Sequence, residues 1–299
     1  MTCRRCGGLQ VLVLLAVALA AEPPEECASW DAHHVNLPFP STSAKVRPVE
    51  SMHVMLSDTV HPFWMALPTE ASTPGYLSNS ARETRIMNPS GSVLVHELLG
   101  REAACSRRHP VTGLPPLVVD VGAHVGWFSM LAASYGCRVV AFEPQPHAHP
   151  FLNATISLNG WQGRVRTVWG AVSTAGAGGS SRMKMVNRHG WDNWDVTELV
   201  PLTDPDDGDE VPVWRVDDVV DEDVLLLKID AEGHEDYVVQ SAESLLAHHR
   251  VDAILVEAKG SGEESRDAFK RQWFASLTEQ HGFSAYEFYE EVGRSVFSW

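Results

Sequence analysis

At 299 residues, 44% of them hydrophobic, the chain is long enough to bury a sizeable core and to form one or two domains of about 100–200 residues each. The formal net charge of -16, with acids gathered at Asp204–Glu210 and Asp217–Asp223, argues against a nucleic-acid backbone or an anionic membrane surface as partner. The apolar fraction excludes a chain disordered throughout.

The first element in chain order is a targeting segment. Arg4 and Arg5 precede the apolar run Val11–Ala21, which holds a small-residue site at Ala18-Leu19-Ala20 before Glu22, Pro23 and Pro24. This pattern predicts a signal peptide over residues 1–21 and entry into the secretory pathway. The run is too short for the ~20 apolar residues of a bilayer-spanning helix, so no membrane span is expected after cleavage. Cys3 and Cys6 leave with the leader, and Cys27, Cys105 and Cys137 remain. Cys137, between Gly136 and an apolar run, reads as a buried thiol, with Cys27 and Cys105 as the pair an oxidising lumen would join.

Residues 22–115 are rich in proline and irregular, an extended lead-in and small cap with a strand near Met52–Met55 and a helix near Val93–Leu99. From Pro116 onward the pattern changes. Leu117–Val121, Val139–Phe142, Val165–Trp169, Val224–Ile229 and Ala253–Val256 are nearly continuous apolar runs, as strands buried on both faces of a parallel sheet require. Between them Gly126–Tyr135, His147–Asn159 and Glu235–His249 carry apolar residues at helical spacing. The alternation predicts a Rossmann-like, doubly wound α/β sheet, closed by a hairpin from Ala285–Phe288 and Ser295–Ser298. The stretch 175–209, with Trp191 and Trp194, breaks the rhythm and is expected to be an insertion over the sheet's edge; its tryptophans are candidates for stacking on an acceptor. Asn153-Ala154-Thr155 is a glycosylation sequon on the polar side of a predicted helix.

Chemistry concentrates at strand ends. After the first strand of the sheet come Asp120, Gly122, Ala123 and Gly126, a turn that admits a close approach by a nucleoside-sized ligand. A dinucleotide fingerprint would place a glycine where Asp120 stands. A carboxylate there repels a pyrophosphate and suits a cation such as the sulfonium and ammonium of S-adenosylmethionine. Glu143 ends the next strand, about 20 residues beyond the loop, where an acid accepts hydrogen bonds from ribose hydroxyls. A third cluster, Lys228-Ile229-Asp230-Ala231-Glu232-Gly233-His234-Glu235, lies where a strand passes into a helix. A histidine beside carboxylates on that rim suits a general base, although acids at a helix start also serve as simple caps. A divalent metal on the same cluster lacks a second ligand set, and none is expected. Glu257 ends the following strand and offers a further acid.

Together Val118–Ser129, Phe142-Glu143-Pro144, the helix with Asn153 and Asn159, Val216–Val219, Lys228–Glu235 and Ile254–Glu257 resemble the successive motifs of the FkbM family of S-adenosylmethionine-dependent methyltransferases. The resemblance spans roughly Asp58–Gly282. It implies a class I methyltransferase fold with a seven-stranded sheet, S-adenosylmethionine as cofactor, and O-methylation of a hydroxyl on a sugar, glycan or secondary metabolite. By motif, Asp120, Gly122, Ala123, Gly126 and Glu143 correspond to cofactor-binding positions, and Asp230, Glu232, His234 and Glu235 to the reaction centre. His124, where an asparagine is common, and Trp169-Gly170, where a polar residue is common, depart from the pattern. A methyl donor must be supplied where the enzyme works, so retention in the endoplasmic reticulum or Golgi lumen is expected over secretion or a plastid route. Two rivals share the fold: a non-catalytic secreted or luminal binding module, and a nicotinamide-dependent oxidoreductase, which the missing first glycine disfavours.

Overall fold

The computed structural model describes residues 10–17, 52–69, 83–174, 181–187, 197–259, 276–291 and 294–297. Cys27, Trp191 and Trp194 lie outside the described residues.

The apolar run near the N-terminus forms a strand, β1 (Gln10–Val17). β2 (Met52–Leu56) and β3 (Trp64–Pro68) then pair as an antiparallel hairpin. α1 (Pro89–Gly100) starts where Asn88 accepts a hydrogen bond from the Gly91 N–H at 3.0 Å, with proline in the first turn where its missing N–H costs nothing. The central unit follows as β4 (Leu117–Val121), α2 (Trp127–Ser134), β5 (Arg138–Glu143), α3 (His149–Leu158) and β6 (Val165–Trp169). β7 (Ala171–Val172), β8 (Ser181–Val186), β9 (Glu198–Val200) and β10 (Gly208–Trp214) come next. The chain re-enters the main sheet through β11 (Val224–Ile229), then α4 (Glu235–Ser241), α5 (Glu243–His248) and β12 (Ala253–Lys259). β13 (Phe283–Glu291) and β14 (Arg294–Phe297) form the closing hairpin.

The main sheet has the order β14-β13-β1-β12-β11-β4-β5-β6. Its five strands from β12 to β6 are parallel, and each of the four helices α2 to α5 lies in a crossover between them. Side chains alternate between two apolar layers. Val118, Val139, Ala141 and Leu255 join one layer with α2 and α3, while Val119, Val140, Leu227 and Val256 join the other with Val238 and Leu245 of α4 and α5. Both faces are covered, which is why these strands are apolar without a polar alternation.

Eight strands replace the seven expected, because β1 inserts antiparallel between β12 and β13. A buried strand and the apolar core of a leader make the same demand on sequence, an uninterrupted apolar run. The helix expected over Glu235–His249 is divided at Ala242, whose backbone leaves helical geometry.

The described parts of the lead-in share the sheet's apolar core. Phe63, Met65 and Leu67 of the hairpin and Leu94, Val95 and Leu99 of α1 belong to the same apolar layer as Leu131 and Leu152. Thr155 is fully buried and its hydroxyl accepts the Ala66 N–H at 2.9 Å, so the threonine of the sequon ties α3 to β3, while Asn153 faces outward. Cys105, in the short helix Arg101–Ser106, is bonded to Cys137 at the start of β5. This corrects the pairing expected between Cys27 and Cys105, and Cys137 is not a free thiol. The turn at Gly136 brings the two cysteines to a Cα separation of 4.7 Å, a proximity that sequence spacing does not reveal.

The stretch 175–209 was expected as an insertion at the edge. Its described parts supply β8, β9 and the first residues of β10 to a second sheet of order β7-β10-β8-β9, which is joined to the main one through the turn from β6 to β7. Trp214 of β10 donates its indole N–H to the Trp169 carbonyl at 3.0 Å, and Trp169 donates its own to the Pro144 carbonyl at 3.1 Å. Two indoles thus fasten the second sheet to the segment that follows β5.

Candidate active site

An open cleft lies at the carboxyl ends of β4, β5 and β11, with about 750 Å³ of space among its lining residues when the solvent at its mouth is included. In a doubly wound sheet this is where ligands are expected. Strand order divides its lining. Phe142–Gln145 and Gly170–Val172 stand on one side of the β4 loop, Asp230–Glu232 and His234 on the other, Met185 and Leu199 come from β8 and β9 of the second sheet, and Thr197 immediately precedes β9.

The loop after β4 is shaped chiefly by the protein itself. Gly122 has φ +75°, and a Cβ there would sit 1.8 Å from the Asp230 carbonyl oxygen, so the β4 and β11 loops touch through backbone. Gly122 also lines the cleft, together with His124. Gly126 opens α2 at φ +94°, and a Cβ there would meet Leu152 of α3 at 2.4 Å; its smallness serves helix packing and it does not line the cleft. Ala123 is buried in the apolar layer beside it.

Asp120 differs from expectation. Its carboxylate is fully buried, accepts the Ser129 hydroxyl at 2.6 Å and lies 3.2 Å from the Lys228 ammonium. The parallel register sets Lys228 beside Asp120, so the charge expected to attract a cationic ligand is neutralised within the protein. Burial alone would lower the Lys228 pKa; the carboxylates of Asp120, Asp230 and Glu257 outweigh it and raise the value, keeping the ammonium charged. Lys228 Nζ then donates to the Gly122 carbonyl at 2.9 Å. Asp120 therefore positions the loop through Lys228. Glu257 adds its charge to the same group and does not line the cleft.

Glu143 does face the cleft, at the end of β5. It is 2% exposed and accepts the backbone N–H groups of His124 at 2.6 Å and Gln145 at 2.7 Å. Burial pushes its pKa up to about 7, although the two N–H groups and Lys228 pull the other way. Such a carboxylate, only partly compensated, suits further donors such as vicinal hydroxyls.

At the β11 end, Asp230 and Glu232 line the cleft, with Asp230 Oδ2 3.6 Å from Lys228 Nζ. Glu232 holds a left-handed backbone, φ +53°, a costly conformation for a residue with a side chain and one that clusters at functional turns. His234 stands at the start of α4, its ring 4.7 Å from that of Tyr237. Burial lowers its pKa against the opposing effect of Asp236, so the imidazole is neutral near pH 7 and competent to accept a proton. Glu235, expected to orient that imidazole, turns inward. It is 5% exposed, and its Oε1 accepts the Ala231 N–H at 3.2 Å and the Gly233 N–H at 3.0 Å, bracing the loop. Burial raises its pKa. No group of three or more metal-ligating side chains gathers among the described residues.

Gln145, Met185, Thr197 and Leu199 carry no motif and were not singled out from sequence. Gln145 follows Glu143-Pro144 closely enough to have been a candidate; the other three reach the cleft only through the packing of the second sheet.

The five parallel strands with helices on both faces make a Rossmann-like α/β sheet, and the cleft at their carboxyl ends is lined by Glu143 on one side and His234 on the other. The FkbM methyltransferase domain model matches residues 120–285, more than half of the chain, and the chain belongs to that family. Solved structures similar to it include an FkbM methyltransferase from Methylobacillus flagellatus KT, 18% identical over 44% of this chain and 30% of that one, with a TM-score of 0.30. Others are a tRNA m1G37 methyltransferase from M. jannaschii, 14% identical over 64% and 37% with a TM-score of 0.30, and a SAM-dependent methyltransferase from Agrobacterium tumefaciens, 16% identical over 42% and 35% with a TM-score of 0.27. The chain thus spans about a third of the length of these relatives. No curated protein matches it.

Proposed function

We propose that the protein transfers the methyl group of S-adenosylmethionine to a hydroxyl of a sugar, glycan or secondary metabolite. The observation that carries this reading is the cleft that holds buried Glu143 on one side of the β4 loop and a neutral, partly buried His234 on the other. The residues present fit the donor: Glu143 accepts from ribose hydroxyls, the loop at Gly122 admits the nucleoside, and Asp230 places a carboxylate near the site for its cationic part. When bound, the donor supplies an electrophilic methyl on sulfur. The chain's own task is to hold the acceptor hydroxyl in line and to take its proton, which we assign to His234, with Glu232 as a partner for another acceptor hydroxyl.

The proposed setting is a secretory lumen. The leader pattern supports it, and so does a disulfide between Cys105 and Cys137, a bond that persists in oxidising compartments. No helix among the described residues is long and apolar enough to cross a membrane. The net charge of -16 favours small-molecule or glycan acceptors over nucleic acid.

The test is transfer of labelled methyl from S-adenosylmethionine across a panel of hydroxyl-bearing acceptors, comparing wild type with His234→Ala. The expected result is transfer by wild type, a loss of about 100-fold or more in the variant, and S-adenosylhomocysteine affinity held within about twofold. Undiminished turnover in the variant contradicts the role of His234. Binding without transfer to any acceptor contradicts the enzyme and favours a binding module.

A further inference from the structure

The sequon Asn153-Ala154-Thr155 has no part in the proposed reaction. Every other asparagine lacks a hydroxyl two residues on, apart from Asn88, which proline follows, so the sequence holds a single acceptor motif.

The helix α3 divides that motif between two environments. Asn153 and Ser157, one turn apart, are exposed, and Asn153 does not line the cleft. Leu152, Thr155 and Ile156 face the core, and the fully buried Thr155 hydroxyl accepts the Ala66 N–H at 2.9 Å. The amide of the motif is thus open to solvent while the hydroxyl that completes it is closed off by β3. A sequon is read on an accessible, loop-like segment, a state that the folded chain does not offer.

Chain order resolves the conflict. Leu152 and Ile156 of α3 share an apolar layer with Leu226 of β11 and Leu255 of β12, and both strands lie after α3 in the sequence. In a chain that enters a lumen from its N-terminus, residues 153–155 arrive while that layer is incomplete. The Thr155 hydroxyl is then open to be read.

We propose that Asn153 is N-glycosylated, and only before α3 docks on β3. The donor is a lipid-linked oligosaccharide diphosphate. The Asn153 amide nitrogen forms a bond to the anomeric carbon of the first sugar, the bond from that carbon to the diphosphate breaks with its electron pair leaving on the phosphate oxygen, and the amide gives up one proton to solvent. Folding then buries Thr155 and leaves the glycan on the outer face of α3. The proposal rests on the luminal setting above.

The test is expression of the full chain in a glycosylating secretory host, followed by peptide-N-glycosidase treatment, mass spectrometry and N-terminal sequencing. The expected result is loss of the leader, a fall in mass on treatment equal to one glycan, and conversion of Asn153 alone to aspartate, with no such fall in Asn153→Gln. Chain made without the modification is then offered labelled donor and glycosylating membranes. Folded chain is expected to take up less than about a tenth of the label taken up by chain denatured with its cysteines reduced and alkylated. Equal uptake by the two overturns the timing, and uptake by neither overturns Asn153 as an acceptor. A removed leader with Asn153 unmodified overturns the site while leaving the luminal setting intact. An intact Met1 with no glycan overturns the luminal setting and this site with it.

Discussion

Glu143 carries a large electrostatic cost when it ionises at the site. Its proton is bound more tightly in the folded chain, where the pKa is about 7, than in the unfolded one, near 4.5. The stability it contributes is therefore fully present below pH 4.5 and lost as pH rises through 7, by about 3 kcal/mol at full ionisation. Glu143→Gln cannot ionise, but its amide nitrogen would face one of the two backbone N–H groups that the carboxylate accepts, a loss that does not depend on pH; relative to wild type the variant is therefore expected to gain about 1–3 kcal/mol between pH 4 and pH 8, as measured by urea unfolding at the two values. The same change should remove most of the nucleoside affinity. A stability difference between variant and wild type that stays the same at pH 4 and pH 8 would contradict the desolvation account. Asp120 shows what a single position conceals. Its place at the end of a strand was legible, but its neutralisation depended on Lys228 lying beside it in the neighbouring strand.

Among the elements, the parallel strands were the most legible, because burial on both faces leaves one pattern, a continuous apolar run. Leu117–Val121 and Val224–Ile229 are strands over the residues expected. The second sheet was illegible for the converse reason: Ser181–Val186 mixes polar and apolar residues, and Met185 and Thr197 acquire meaning only once packed over the cleft. The contact of the β4 and β11 loops sits between these cases, since Gly122 announces a turn without naming its neighbour. Gly122→Ala is expected to destabilise the fold by more than about 2 kcal/mol, because a Cβ would overlap the Asp230 carbonyl and the backbone conformation is itself unfavourable. Thermal unfolding checks this; a melting temperature within about 2 °C of wild type would show that the two loops can separate.

On the scale of the whole molecule, residues 10–17 present two incompatible uses of one apolar run. As β1 they fill the sheet between β12 and β13; as the core of a leader they are removed. N-terminal sequencing of the protein purified from a secretory host is expected to begin near Ala21, leaving β12 and β13 without β1. An intact Met1 would contradict the leader and make β1 a permanent strand. The bond between Cys105 and Cys137 bears on the same question, since it staples the lead-in to the start of β5 and persists where the compartment is oxidising.

The central claim is that the cleft at the ends of β4, β5 and β11 holds a methyl donor through Glu143. Titration of S-adenosylhomocysteine into the full chain, beside Glu143→Ala, tests it without knowledge of the acceptor. The account predicts saturable one-to-one binding by wild type and at least about a tenfold loss in the variant. No binding to a folded wild-type protein would contradict it, and undiminished binding by the variant would remove Glu143 from the site.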